Sequence, residues 1–215
     1  MSNSKAIRAI GCITALISLV GCAGKIRYPS YYALNVATPT TRANGTAPIL
    51  GSVAVRQFEA PGYLRGGPIV YRESPEQLDF YEYHRWAADP RRTVTRAVIR
   101  EMQSRGIFQA VDLFNGRETP ECLLTGAIDH LEEVDEGATV SIEVALSAQL
   151  INLKTGELLW QGSLSKESKL DQHSVAGIVA EMSREVGNIV EGLVSSMQEH
   201  VRASSASLGH AHTEP

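Results

Sequence analysis

Thr139-Val140-Ser141-Ile142-Glu143-Val144-Ala145-Leu146-Ser147-Ala148-Gln149-Leu150 is the stretch that decides the fold. Val140, Ile142, Val144, Leu146, Ala148 and Leu150 fall on one side of an extended chain. Ser141, Glu143, Ser147 and Gln149 fall on the other, with Ala145 among them. A period of two with one apolar and one largely polar face predicts a strand of an antiparallel sheet covered on one side only. Asn152-Leu153-Lys154-Thr155-Gly156-Glu157 follows as a turn, with Gly156 available for positive φ. Leu158, Trp160, Gly162 and Leu164 then predict the return strand, and Leu123 to Glu133 predicts the strand before it, giving a meander.

The cover for the apolar face comes next in the chain. Val175, Ile178, Val179, Met182, Val186, Ile189, Val190, Leu193 and Met197 recur at three- and four-residue steps, the signature of an amphipathic helix, with Ser174 as its cap. Gly177, Gly187 and Gly192 interrupt it. Each glycine costs about 1 kcal/mol relative to alanine in a helix interior, so close packing or support from the sheet is expected there. A second helix starts at Asp89-Pro90, a capping residue followed by proline at the first helical position, and ends at Gly106. Its apolar stripe of Val94, Ala97, Val98 and Met102 is narrow and includes Glu101.

Shorter strands are expected at Tyr31–Leu34, Ser52–Phe58 and Ile107–Phe114. Ile69–Arg72 and Leu78–Tyr83 form a hairpin about Ser74-Pro75-Glu76. The fold class is therefore α+β: an antiparallel β-sheet meander with helices packed on one face. Residues 37–48 are polar and turn-rich, a loop by composition, and residues 201–215 are expected to be a disordered polar tail.

The chain opens with a basic start (Lys5, Arg8), an apolar run from Ala6 to Val20 without an acid, and Leu19-Val20-Gly21-Cys22. That is a secretory signal, and its apolar run is shorter than the ~20 residues of a comfortable membrane span. The final four residues resemble the lipobox of bacterial lipoproteins. This resemblance implies cleavage before Cys22, acylation of its thiol and, through Ala23 in the next position, delivery to the outer membrane. The organisation expected is thus a signal peptide over 1–21, a lipidated cysteine with tether and first short strand over 22–48, one α+β domain over 49–200, and the tail.

Charge and cysteines narrow the function classes. The chain has 20 Lys and Arg against 24 Asp and Glu, and the signal carries two of the bases and no acid. A net acidic chain lacks the clustered bases that nucleic-acid binding requires. Of three cysteines, Cys12 leaves with the signal and Cys22 is taken by lipid, so Cys122 is expected to be a buried core thiol. His210 and His212 lie in the tail. His130, beside Asp129, Glu132 and Glu133, is the one candidate for acid–base chemistry; such a cluster reads first as a solvated strand face, with a periplasmic hydrolase as the least favoured function. Gly62-Tyr63-Leu64-Arg65-Gly66-Gly67 does not join a strand to a helix as a phosphate loop would. No catalytic residue, metal ligand or cofactor is assigned. The aromatic and arginine-rich run from Tyr63 to Trp86 is the better lead. Tyr, Trp and Arg dominate binding hot spots, so Tyr63, Leu64, Arg65, Tyr71, Arg85 and Trp86 are candidate partner or oligomer contacts.

Across the domain, Tyr31-Tyr32-Ala33-Leu34, Val53-Ala54-Val55, Pro61-Gly62-Tyr63-Leu64, Ile69-Val70-Tyr71, Tyr83-His84-Arg85-Trp86-Ala87, Gly126 to Glu133 and Asn152 to Trp160 occur in an order and spacing behind a lipobox. In this the chain resembles the ABC-type transport auxiliary lipoproteins, the group that includes the paraquat-inducible PqiC (YmbA) lipoproteins. The resemblance implies an α+β domain without enzyme activity, anchored on the periplasmic face of the outer membrane. It also implies association with ABC transporter components and an MCE-domain protein in lipid transport between membranes, with a homo-oligomeric ring as one form of assembly. An assembly factor for an outer-membrane protein or lipopolysaccharide machine is the alternative. An apolar cavity between the last helix and the sheet would favour direct contact with lipid.

Overall fold

The alternation of the deciding stretch is carried into three dimensions by its side chains. Ile142, Val144, Leu146 and Leu150 have no exposed surface, whereas Glu143, Ser147 and Gln149 are half-buried on the opposite face. They lie on the seventh of eight strands. The structure, a computed structural model, describes residues 27–38, 48–65, 67–135, 137, 139–170 and 174–211, with side chains to 205. In chain order the described elements are β1 (Ser30–Tyr32), β2 (Leu50–Val55), a 3-10 turn (Gly62–Arg65), β3 (Pro68–Ser74), β4 (Gln77–Trp86), α1 (Pro90–Arg105), β5 (Phe108–Leu113), β6 (Cys122–Asp135), β7 (Val140–Asn152), β8 (Leu158–Lys169) and α2 (Val175–Ala211). The signal segment, Cys22 and most of the 37–48 loop fall outside the described residues.

The class is α+β, and the antiparallel meander is β6–β7–β8. The complete sheet is mixed, because parallel pairs join the meander to the shorter strands. β2 pairs in parallel with both β5 and the start of β6; β3 pairs in parallel with the end of β6, antiparallel with β4; and β1 pairs in parallel with β4. The long strand β6 therefore has β7 along one edge and two separate short groups along the other. β2 lies between neighbours on both sides and is buried on both faces, with Val53, Ala54 and Val55 each 6% exposed or less, as strands in parallel surroundings are.

A bulge decides what the far half of β6 presents. The register with β7 slips between Ile128 and His130. Before the slip Leu124 and Ile128 face the helices opposite Leu150 and Leu146; after it the inward residues are Leu131 and Glu133, opposite Val144 and Ile142. One extra residue reverses which alternate set faces in. His130 and Glu132 are thereby sent to the outer face.

Both helices cover the inner face. Asp89 caps α1 by accepting from the Arg91 amide at 2.9 Å, Pro90 occupies its first position, and Gly106 closes it at φ 63°. Ser174 caps α2 by accepting from the Gly177 amide at 3.1 Å. Ile178, Met182, Val186, Ile189, Leu193 and Met197 are buried, and Val201 extends the stripe one turn further. This correction to the expected tail has a local cause: Val201 still finds the core, and residues 202–211 contain no proline, so the helix continues to Ala211. Residues 212–215 lie outside the described part. Phe58, Leu64, Ile69 and Ile107 complete the core from the short strands and loops; fully burying each such side chain is worth roughly 1.5–3 kcal/mol.

The glycines differ in what they make room for. A Cβ at Gly126 would stand 2.5 Å from the Phe58 ring and 2.7 Å from the Ser147 carbonyl oxygen. A Cβ at Gly187 would meet only Val36 Cγ1, at 3.7 Å. Gly126→Ala should therefore lower the unfolding free energy by about 1–3 kcal/mol through overpacking, while Gly187→Ala should raise it by up to about 1 kcal/mol through helix propensity. Urea unfolding of the two variants checks the opposite signs.

Candidate functional site

The region from Tyr63 to Trp86 folds into the 3-10 turn and the β3–β4 hairpin, and it divides into core and surface. Leu64 and Trp86 are 1% and 6% exposed, so they belong to the core and present nothing to a partner. Tyr63, Arg65, Tyr71 and Arg85 retain surface. Arg65 Nε donates to the Ala60 carbonyl at 3.0 Å, and its head lies 3.9 Å from the Glu59 carboxylate with much of the side chain in solvent.

Two consecutive glutamates of β6 hold this hairpin, one on each face of the sheet. On the outer face Glu132 is completely buried, and Arg72 Nε of β3 donates to its Oε1 at 2.7 Å. On the inner face Glu133 is 1% exposed, and the Tyr81 hydroxyl of β4 donates to its Oε2 at 2.7 Å. Consecutive strand residues point to opposite faces, which is why adjacent positions can clamp one hairpin from both sides. The sequence reading of this cluster as a solvated strand face is corrected: the bulge and the parallel docking of β3 cover both carboxylates.

Around Glu132 lie His130, Tyr63 and Glu143. His130 Nδ1 is 3.2 Å from Glu132 Oε1 and 3.7 Å from Glu143 Oε2, and the three residues set potential ligand atoms within 4.8 Å of one another. Glu143 pairs directly with Glu132 across β6 and β7, an arrangement of like charges that destabilises a sheet unless compensated. Arg72 supplies the compensation. Tyr63 adds a phenol whose pKa is pushed up to about 12 by its burial, then by the charge of Glu132 and the hydrogen bond to it. Arg72 and His130 both meet Glu132 Oε1, while Oε2 is buried without a geometric hydrogen-bond partner, so the cluster reads as an internal ion-pair network centred on one carboxylate oxygen.

An aromatic chain continues from Glu133. Tyr81 packs on Tyr71 at 5.1 Å between ring centroids and edge-on to His84 at 5.4 Å. His84 in turn packs on Tyr32 at 5.5 Å, and its Nδ1 and the Tyr32 hydroxyl oxygen are hydrogen-bonded at 3.0 Å. Burial, with the Glu133 hydrogen bond behind it, holds the Tyr81 phenol well above its usual pKa. Through Tyr32 the chain ties β1 to the hairpin.

Cys122 is fully buried, as expected, and its thiol is pushed up to about 11 by burial and then by Glu121. It is a thiol, not a thiolate nucleophile, at neutral pH. Between α2 and the sheet, the space lined by Phe58, Val98, Leu124, Ala148, Trp160, Leu193, Val194 and Met197 amounts to about 10 Å³, scarcely one water. It has no room for an acyl chain. The described residues also form an open groove of about 850 Å³ between α1 and α2, bordered by Asn35, Glu101, Arg105, Ser183, Arg184 and Glu191.

The tie between Arg72 and Glu132 has a measurable signature. Arg72→Met leaves a carboxylate buried without its charge partner and should cost about 3 kcal/mol. Arg72→Met combined with Glu132→Leu should recover most of that loss, because the desolvated charge is gone as well. Equilibrium unfolding of the single and double variants checks both parts.

A sequence model of the family described as "ABC-type transport auxiliary lipoprotein component" matches residues 32–194. Among solved structures, a DUF330-family protein from Xanthomonas campestris is similar at 16% identity and a TM-score of 0.71, over 82% of this chain and 99% of that one. A second, uncharacterised protein is similar at 15% identity and a TM-score of 0.62, over 80% and 99%. No curated protein matches. At these identities the two structures establish the fold.

Proposed function

Because this chain belongs to the ABC-type transport auxiliary lipoprotein component family, we propose that it is a non-enzymatic accessory subunit of an ABC/MCE-type lipid transport system. It is held by acyl chains on Cys22 at the periplasmic face of the outer membrane and docks on a periplasmic MCE-domain partner. The observation that carries this reading is the extent of the family match: residues 32–194 take in every strand from Tyr32 of β1 onward and most of α2. The filled space between α2 and the sheet supports a scaffolding role over one in which lipid is held inside the domain. The mutual pairing of Arg72, Glu132 and His130, and the burial of Cys122, support a role without chemistry.

Docking then falls to the surface. Tyr63, Arg65 and Tyr71 are the proposed contacts for a partner or for further copies in a ring, since aromatic and arginine side chains concentrate binding energy. Among the described residues no helix is long and apolar enough to cross a membrane, so within them membrane attachment by a helical span is not available.

Photo-crosslinking from Arg65 in intact cells, followed by purification from the membrane fraction, should recover an MCE-domain or ABC-transporter protein. Recovery of neither, from cells in which the crosslinker labels other envelope complexes, contradicts the proposal. In the same cells Cys22→Ala should leave a folded protein that no longer supports transport.

A further inference from the structure

The surface of β1 and β4 carries exposed aromatic side chains that neither the core nor the glutamate clamp uses. Tyr31 is 64% exposed and Tyr83 is partly exposed. The parallel register sets Tyr31 beside Arg85 and Tyr32 beside Trp86. Trp86 and Tyr32 turn toward the core, so Tyr31, Arg85 and, two residues back along β4, Tyr83 share the outward face. The guanidinium of Arg27 lies over the Tyr83 ring, 5.9 Å from its centroid. That contact fixes where the chain enters this face. The result is a patch of two tyrosines and two arginines, with Glu82 against Tyr83.

Its position relative to the anchor is set by chain length. Four residues lie between Cys22 and Arg27, and the five steps from one to the other, at 3.3–3.6 Å each, span at most about 18 Å. A patch that begins at Arg27 therefore stays close to whatever surface holds Cys22. Tyrosine, with an apolar ring and a polar tip, is enriched where a bilayer meets water, and arginine beside it suits phosphate headgroups. The chain as a whole is net negative, so this local pair of arginines is distinct from the charge of the remaining surface.

We propose that the outward face of β1 and β4, with Tyr31, Tyr83, Arg27 and Arg85, rests on the lipid headgroups of the membrane that carries the Cys22 anchor. This rests on the lipoprotein reading given above. Contact there orients the domain, and β7, β8 and the turn between them stand away from the bilayer.

The test uses the mature acylated chain, beginning at Cys22, in vesicles of phosphatidylethanolamine and phosphatidylglycerol. A polarity-sensitive fluorophore is placed through Tyr31→Cys or, as the comparison, through Glu157→Cys in the β7–β8 turn; buried Cys122 and acylated Cys22 do not compete for label. Headgroup-linked nitroxide lipids should quench the probe at position 31 several-fold more than the probe at position 157. Equal quenching at the two positions, on chains that float with the vesicles, overturns the inference while leaving the anchor intact. A position-31 probe shielded from aqueous iodide but not quenched by nitroxide lipid also overturns it, in favour of a protein partner. A chain that does not float at all overturns the anchor itself, and the inference with it.

Discussion

Two neighbouring carboxylates on β6 hold the two parts of this fold together. β3 meets β6 over a short parallel register, Tyr71 with Glu133 and Arg72 with Val134. Few backbone bonds are available to keep the hairpin, and β1 beyond it, on the sheet. The side chains provide the rest. Glu132 is bonded to Arg72 on one face and Glu133 to Tyr81 on the other. Each carboxylate is out of water, so its partner is obligatory: a buried charge without one costs several kcal/mol. That dependence makes the hairpin's position specific, because any shift along β6 would strand both glutamates.

The bulge at residues 128–130 decides which glutamate meets which partner. In an unbroken strand the residue opposite Ile142 would belong to the alternate set, and the glutamates would exchange faces. With the extra residue, the apolar set continues through Leu131, so Glu132 meets Arg72 on the outer face and Glu133 meets Tyr81 on the inner one. The meander supplies the platform, α2 covers it, and the clamp adds the arm that carries the aromatic surface. The interior under α2 is filled by Phe58 lying against Gly126 and by Trp160.

Much of this was legible in the sequence, for a physical reason. The β7 alternation, the α2 stripe, the Asp89-Pro90 start and Gly106 end of α1, and the turn at Gly156 are local signals, written within a few residues of where they act. The parallel pairings of β1, β2 and β3 are not local, because they join segments separated by tens of residues. The placement of the candidate contacts was legible only in part: Leu64 and Trp86 have the composition of a hot spot but the burial of a core, and periodicity in a short irregular segment does not separate the two. The clamp left one signal, consecutive glutamates inside the apolar run Leu131-Glu132-Glu133-Val134. Read as a solvated face it was unremarkable; a strand that buries both sides makes it a demand for two partners.

Native-state hydrogen exchange tests the clamp most directly. In the double variant Arg72→Met/Tyr81→Phe both grips are released, and local opening would rehydrate the glutamates. The amides of Val70–Arg72 and Phe80–Arg85 should then exchange through a sub-global opening, while those of Ile142–Leu150 keep exchanging only with global unfolding. Unchanged protection in β3 and β4, or a loss shared equally with β7, would contradict a clamp that holds the hairpin to the sheet.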